Sequence, residues 1–488
     1  MAVGLVVRRL VSRVAARAVR AQARLSLEPL QLGFSSGGAE AAVHAVSRDA
    51  EHHGRSPQYV VATLDFSGAF TSVSRQCVVD EVAKHAPTLL PWVSYTYGCS
   101  ADFYWEGHRL PCSGGVQQGD PLGPLLFAFA VHPLVERVRL VAPGILQVWF
   151  LDDGTLAGEE ALVAAAVKVV EDLGRARGLS LNAAKSVLWS PSGGARPLEA
   201  FPLGFRQTPE AGVRLLGAPL SLSQHFRESF LLARVVECRP LLLALRELYD
   251  PQAQLLLLRA CAGVCRLVYY LRCTPPAQAG LQPSAHARAL DREILSGLQA
   301  VLGRLAGRGL TERQVTWAGL PLALGGLGLT PATTVERYAW LASYHDTRGL
   351  QEAVLQDRDT PESPYVDHAV VRLQGVYPSF EFSQLSQRRT ATQATTQSTL
   401  GARVAEIERE RLVARLGDTR EGMVLQSCSQ PFAHAWLRAL PREGQRQRMP
   451  AAAFRCRLAY QLALPVYPPG LQCPLCRSPL DRAGDHAA

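Results

Sequence analysis

The sequence predicts an α+β fold: a small sheet with its helices, followed by a long helical region. Three observations carry this. Residues 58–65 form a near-continuous apolar run, as a strand buried on both faces does. Residues 145–151 and 155–157 are apolar runs flanking Asp-Asp-Gly, and Asp-Gly between apolar runs signals a hairpin. Residues 159–177 place Leu162, Val163, Ala166, Val169, Val170 and Leu173 on one helical face, and Gly178 ends the helix. Strand, helix, hairpin, helix and strand in that order make an α+β pattern.

The other elements follow from local signals. Ser74 suits the N-cap of a helix with Val78, Val79 and Val82 on one face. Pro121 opens a second helix over residues 121–140, rich in Leu, Phe and Ala. Residues 1–27 hold six arginines and no acid. That composition suits an organelle transit peptide, but Leu5, Val6, Leu10, Val11, Val14 and Val19 recur near helical spacing and favour an amphipathic helix. Residues 226–350 are rich in Leu, Ala and Arg and read as helical. Residues 381–401 are Ser/Thr/Gln-rich and read as a linker. A second helical stretch, 402–465, leads through a Pro-rich turn to a pair of cysteines.

Composition narrows the class. A chain of 488 residues, 48% apolar and 19% charged, accommodates two to four domains with sizeable cores. Its longest uninterrupted apolar runs are too short to span a bilayer, so the sequence predicts no membrane partner. The net charge is +9, and only three cations, Lys84, Lys168 and Lys185, are lysine. Arginine's planar fork suits phosphate, although a GC-rich coding sequence produces the same bias. The 11 cysteines are mostly scattered singly, which points to a reducing compartment.

Three acids sit where chemistry is built. Asp65 ends the first strand, and Asp152 and Asp153 are placed at the hairpin tip. If that strand lies beside the hairpin, the carboxylates converge. Their mutual repulsion is relieved by a divalent cation, and paired cations suit phosphoryl transfer. Asp-Asp-Gly alone is an ordinary turn sequence.

The surrounding order gives the acids their meaning. Leu-Asp-Phe-Ser-Gly-Ala-Phe (64–70), Gln-Gln-Gly-Asp-Pro-Leu-Gly-Pro (117–124), Phe-Leu-Asp-Asp-Gly (150–154), Gly-Leu-Ser-Leu-Asn-Ala-Ala-Lys-Ser (178–186) and Leu-Leu-Gly-Ala-Pro-Leu (215–220) follow one another. Together they resemble the palm motifs of reverse transcriptases, most of all those of non-long-terminal-repeat, LINE-type retrotransposons. Weaker similarity extends upstream through Pro-Leu-Gln-Leu-Gly-Phe and Gly-Gly-Ala-Glu (29–40). Downstream it includes Gly-Gly-Leu-Gly-Leu (325–329) and Gly-Asp-His-Ala (484–487).

The resemblance implies a right-hand polymerase with an antiparallel palm sheet and a mainly helical C-terminal region. It implies Mg²⁺ (or Mn²⁺) on Asp65, Asp152 and Asp153, with Asp65 and Asp152 bridging two ions and Asp153 less direct. It implies a DNA primer on an RNA template, dNTPs as substrates and a nuclear setting (otherwise cytoplasmic). Phe70 takes the place of a steric gate against the ribose 2′-hydroxyl. Phe66, Gln118 and Gly119 are placed with the substrate contacts, Lys185 with the leaving pyrophosphate, and Leu216 and Gly217 with a primer grip. Implied domains are a truncated fingers segment (1–57), palm (58–225), helical thumb (226–380), polar linker (381–401) and helical connector (402–488). Thumb residues Arg259, Arg266 and Arg272 read either as duplex contacts or as a solvated helix face.

At the C-terminus Cys473, Cys476 and His486 resemble the start of a zinc knuckle, with spacing that suits three tetrahedral ligands. A free thiol tail is the competing reading. The rival functions are a catalytically inactive nucleic-acid-binding fragment, an RNA-dependent RNA polymerase and a group II intron-type maturase. Phe70 argues against the RNA polymerase, and the segment 484–487 fits a maturase poorly. No accompanying endonuclease is evident in the sequence.

Overall fold

The computed structural model describes residues 5–117, 119–194, 198–209, 211–277, 280–307, 309–356, 358–380, 396–445 and 447–487. Gln118 and most of the polar stretch 381–401 lie outside the described residues. The chain divides into two compact units. The first holds residues 1–226 and 344–363, the second 227–343 and 364–488.

The first unit runs α1 (Val6–Ala18), α2 (Arg20–Leu27), α3 (Gly38–His53), β1 (Tyr59–Leu64), α4 (Ala69–Ser72), α5 (Arg75–His85) and α6 (Leu90–Tyr97). A hairpin of β2 (Ala101–Trp105) and β3 (His108–Cys112) follows, then α7 (Gly123–Val141), β4 (Leu146–Phe150), β5 (Asp153–Glu159) and α8 (Glu160–Ala176). Short strands β6 (Val187–Trp189), β7 (Arg206–Gln207), β8 (Val213–Leu215) and β9 (Ala218–Leu220) complete it. Five strands form one sheet in the order β4-β5-β1-β6-β7. Pairing is antiparallel except between β6 and β7, which run parallel.

The apolar run of β1 makes it an inner strand, with β5 on one side and β6 on the other. Val60, Val61 and Ala62 are wholly buried. Helix α8 lies against β1 and β5 and turns Val163, Ala166, Val167 and Val170 inward. Val163, Ala166 and Val170 belong to the predicted face, whose Leu162, Val169 and Leu173 are half-buried against the same core, and Gly178 follows with φ of 78°. Ser74 caps α5 as predicted, its Oγ accepting from the Cys77 N–H at 3.4 Å. The core is completed by α7 with Phe127 and Phe129, and by Trp149.

Two expectations are corrected. The hairpin turns two residues earlier than Asp-Gly suggests. Phe150 pairs with Asp153, so the loop is Leu151-Asp152, and Asp153 and Gly154 already belong to β5. Leu151 takes the positive φ that a tight hairpin needs, at 57°. Gly154 is required by packing, because a Cβ there would lie 2.5 Å from a Trp149 ring carbon.

Helix α1 forms, but its apolar residues do not supply its buried face. Leu10 and Val14 stay 62% and 61% exposed. Ser12 is the buried residue, and its Oγ accepts from the Trp92 Nε1–H at 3.3 Å.

The segment 344–363 belongs to the first unit through polar bonds to α3. Arg48 donates to the Pro361 carbonyl at 3.1 Å and to Gln351 Oε1 at 3.3 Å. Asp49, wholly buried, accepts from Arg358 Nε at 2.5 Å and from the Tyr59 hydroxyl at 2.7 Å.

The second unit is helical. It contains α9 (Gln224–Arg246), α10 (Pro251–Leu257), α11 (Val268–Cys273) and α12 (Ala285–Leu302). Further helices include Glu312–Gly319, Tyr365–Val376, Thr396–Leu416, Arg420–Cys428 and Ala451–Gln461. The segment Pro251–Cys273 is long and apolar enough to cross a membrane by length and composition. In this unit it is broken into short helical pieces, and Gln252 reaches the Ala439 and Gln447 carbonyls at 3.1 and 3.0 Å. The Gly-Gly-Leu-Gly-Leu segment organises this unit: the Gly325 carbonyl accepts from Trp317 Nε1 at 2.9 Å and from Gln461 Nε2 at 3.1 Å. Arg259 passes within 2.8 Å of where a Gly328 Cβ would stand. It donates to the Leu437 carbonyl at 2.8 Å, so this arginine is spent on packing.

Candidate active site

The register of the sheet brings the three carboxylates together. Leu64 pairs with Gly154, so Asp65, leaving β1, and Asp153, entering β5, lie at the same end of neighbouring antiparallel strands. Asp152 occupies the turn between β4 and β5 at that end.

Each acid is held by the backbone around it. The Asp65 N–H donates to Ser186 Oγ at 3.1 Å, and the Asp65 carbonyl accepts from the Asn182 N–H at 2.7 Å. Ser186 Oγ in turn donates to the Asn182 carbonyl at 2.9 Å. The motif Gly-Leu-Ser-Leu-Asn-Ala-Ala-Lys-Ser therefore places Asp65, and it does so through Asn182 and Ser186. Lys185 lies on the same turn, exposed, with its N–H donating to Asn182 Oδ1 at 3.2 Å.

Burial and neighbouring charge act on two of the acids. Partial burial, followed by the charges of Asp152 and Asp65, pushes the Asp153 carboxyl up to about 6. Asp152 is raised by burial first and by Asp65 after it. Asp152 and Asp153, whose ionisation is disfavoured beside Asp65, make with it an oxygen-donor set of the kind that suits a hard divalent cation.

The turn itself is clamped. Gln31 is 1% exposed, and its Oε1 accepts from the Leu151 N–H at 2.6 Å. Its Nε2 donates to the Leu151 carbonyl at 3.0 Å. On either side, the Trp149 N–H donates to the Leu30 carbonyl at 2.7 Å and the Leu32 N–H to the Trp149 carbonyl at 2.8 Å.

The other predicted residues fall in different places. Phe70, half-buried, stacks on Phe127 with centroids 4.7 Å apart, and its carbonyl accepts from the Val116 N–H at 2.7 Å. It thus ties the first motif to the loop that precedes α7. Phe66 is 5% exposed, stacked on Trp149 and bridged to Leu181, so its ring packs in the core. Gly119 lies in the turn before α7. Leu216 and Gly217 form the tip of the β8–β9 hairpin, with φ of 46° and 89°.

Sequence reasoning gave Asp120 no role beyond its motif, and the structure makes it a hub. It is 5% exposed. It accepts from the Tyr97 hydroxyl at 2.8 Å and from the Leu122 N–H at 3.0 Å, and Arg8 stands 3.4 Å away. Tyr97 also takes the Gln117 N–H at 3.3 Å, while Arg8 and Arg75 lie over its ring. Only the invitation of Asp-Pro to open a helix was legible; Tyr97 and Arg8 are distant in sequence.

In the second unit, Cys473, Cys476 and His486 bring their ligand atoms within 4.8 Å of one another. Cys476 Sγ lies 3.1 Å from His486 Nε2. Hydrogen bonds, the Ser478 N–H first, lower the Cys476 thiol to about 6.

Comparison with known proteins fixes the class of the first unit. Residues 6–220 match the family model described as reverse transcriptase (RNA-dependent DNA polymerase). Over 362 residues the chain is 25% identical to the retrotransposable element SLACS 132 kDa protein of Trypanosoma brucei gambiense. That match covers 73% of this chain and 28% of the trypanosome protein. Residues 6–220 therefore form a reverse transcriptase domain, and the chain spans about a quarter of the retrotransposable-element protein it resembles. Among solved structures, telomerase from Candida albicans in complex with a fragment of telomeric RNA gives a TM-score of 0.36 at 10% identity. That alignment covers 74% of this chain and 58% of the telomerase. Apo telomerase from Candida tropicalis gives 0.35 at 11%, covering 75% and 61%.

Proposed function

We propose that this chain is the RNA-directed DNA polymerase of a non-long-terminal-repeat retrotransposon, adding dNTPs to the 3′-hydroxyl of a DNA primer on an RNA template. The observation that carries the reading is the convergence of Asp65, Asp152 and Asp153 at one end of the β1–β5 pair, inside a reverse transcriptase domain. The work is nuclear, with no membrane partner. In this reading residues 1–57 serve as fingers, 58–225 as palm, 226–380 as thumb, 381–401 as linker and 402–488 as connector.

The donor set fits Mg²⁺ or Mn²⁺, and two such ions, when bound, supply activation of the attacking hydroxyl and charge neutralisation on the leaving phosphates. The chain's own residues do the rest. Asp65 and Asp152 present oxygens at a fixed spacing because Ser186 and the hairpin register hold their backbones. Asp153 adds negative potential from the strand start. Phe70, fixed against Phe127, excludes a 2′-hydroxyl beneath the sugar. Asp120 orders the turn at the α7 N-terminus, where backbone N–H groups favour phosphate. Lys185, exposed at the same sheet end, offers a proton or a charge to departing pyrophosphate. Leu216 and Gly217 grip the primer.

The test is primer extension on poly(rA)/oligo(dT) with Mg²⁺ and dTTP, comparing wild type with Asp152→Ala. Wild-type extension that the substitution abolishes is the expected outcome. An inert wild-type protein that still binds the duplex tightly would establish the inactive binder instead.

Cys473, Cys476 and His486 are proposed to hold Zn²⁺, the remaining position taken by water or a partner ligand. Metal analysis of purified protein is expected to return one zinc per chain, lost in Cys476→Ser. Equal zinc in both proteins would refute the site.

A further inference from the structure

The turn that carries Asp152 adopts a conformation its own sequence disfavours. Leu151 sits at φ of 57°, in the left-handed region, where a branched side chain is costly. Something outside the hairpin has to hold it, and the hydrogen bonds identify what. The buried Gln31 amide accepts from the Leu151 N–H at 2.6 Å and donates to the Leu151 carbonyl at 3.0 Å. The Leu151 carbonyl belongs to the peptide plane that also carries the Asp152 N–H. Orienting that plane orients the Asp152 backbone, and so the direction in which its carboxylate leaves the turn. Gly33 completes the clamp. Its N–H donates to Gln31 Oε1 at 3.2 Å, and its missing Cβ leaves room for the Leu151 side chain, which would be 2.7 Å away.

We propose that Gln31 is a positioning residue for Asp152: one side-chain amide, acting on both sides of Leu151, holds the strained turn that aims the carboxylate at Asp65. The proposal rests on the polymerase reading of the site. An amide is the side chain this position needs, because a single group must both accept and donate. Glutamate keeps the acceptor and loses the donor; methionine keeps the length and loses both.

The experiment compares wild type, Gln31→Met, Gln31→Glu, Leu151→Gly and the double variant Gln31→Met/Leu151→Gly. Primer extension gives kcat and KM, and electron paramagnetic resonance gives Mn²⁺ affinity in the absence of nucleic acid. Circular dichroism monitors folding. In Gln31→Met we expect kcat to fall about 30-fold, with KM for dTTP within threefold and Mn²⁺ binding weakened about tenfold, orders set by misplacing one catalytic group. Gln31→Glu falls between. Glycine adopts positive φ without the Cβ cost, so the double variant should regain at least fivefold in kcat over Gln31→Met, an order that follows from that relief. A general loss of structure would not be rescued by a second substitution that itself removes packing.

Wild-type activity and Mn²⁺ binding with Gln31→Met within threefold of wild type in both would overturn the proposal and leave the polymerase reading intact. So would a folded double variant no better than the single one. Wild-type protein that neither extends the primer nor binds Mn²⁺ overturns the polymerase reading, and the proposal falls with it. Should Gln31→Met fail to fold, Gln31→Glu and its double with Leu151→Gly decide by the same criteria.

Discussion

Replacing Arg358 by methionine tests whether the segment 344–363 is built into the unit that carries the carboxylates. Asp49 on α3 is wholly buried, and Arg358, 11% exposed, is its charged partner at 2.5 Å. The same guanidinium donates to the Gly144 carbonyl at 2.7 Å, just ahead of β4. Tyr59, the first residue of β1, donates to the other Asp49 oxygen at 2.7 Å, and burial beside that carboxylate raises its pKa well above the usual value, keeping it a donor. Arg358→Met leaves a buried carboxylate with the neutral donors Tyr59 and, at 3.3 Å, Thr360, and with His53 3.7 Å away as a remaining ionisable neighbour of opposite charge. Breaking a buried pair from one side costs about 3–5 kcal/mol, and the surviving donors set the lower end, about 3 kcal/mol. Adding Asp49→Asn removes the stranded charge and should restore about 2 kcal/mol of that loss, so the two changes are strongly coupled. Hydrogen exchange read by mass spectrometry on peptides from α3 and β1 measures both quantities as opening free energies. A loss below about 1 kcal/mol in the single variant, or additive losses in the double, would refute the reasoning.

Other consequences can be measured as directly. Gly154→Ala forces a Cβ to within 2.5 Å of the Trp149 ring, and should destabilise the first unit by at least about 2 kcal/mol in urea unfolding; retained stability would show that the ring yields. Burial, then the charge of Arg372, lowers His286 to about 4. The unfolded chain takes up a proton below about 6.5 while the folded one does not. Stability of the second unit therefore falls as pH drops below that value, by about 2 kcal/mol at pH 5, and this slope should flatten in His286→Gln when exchange is measured at both pH values. Asp153→Asn removes a carboxylate whose pKa is raised, so metal-free protein at pH 7.5 should gain up to about 1 kcal/mol, kept small because the side chain, though partly buried, still reaches solvent and is screened. A fall in melting temperature would contradict the repulsion. Phe70→Ala should raise ribonucleotide incorporation about tenfold or more relative to dNTP, read by extension with single nucleotides, since a pocket that loses a ring loses its steric rejection; unchanged discrimination would remove Phe70 from the gate.

The sequence by itself determined whatever depends on local pattern. The apolar run of β1, the one-sided face of α8, the Ser74 cap and the identity of the three acids were legible, because periodicity and residue type act over a few neighbours. So was the reverse transcriptase class, carried by five ordered motifs between residues 64 and 220. Local pattern misled where packing outweighed it. Asp-Gly reads as a turn, yet Gly154 lies in the strand because Trp149 fills the space beside it, and the turn moves onto Leu151. The apolar residues of α1 recur at helical spacing and the helix forms, yet Leu10 and Val14 stay exposed and Ser12 is the residue that meets Trp92. Phe66 stands beside Asp65 in sequence, but alternation along an extended backbone sends it to the core.

Only the tertiary structure could decide that the carboxylates share one end of the sheet, since that follows from β1 pairing with β5 across some 90 residues of intervening chain. It alone places Gln31 on the Leu151 peptide, Tyr97 and Arg8 on Asp120, and Arg358 on Asp49. These are single long-range hydrogen bonds and ion pairs. Such contacts leave no periodicity in a chain, because each depends on where two distant backbones are brought by the packing of everything between them.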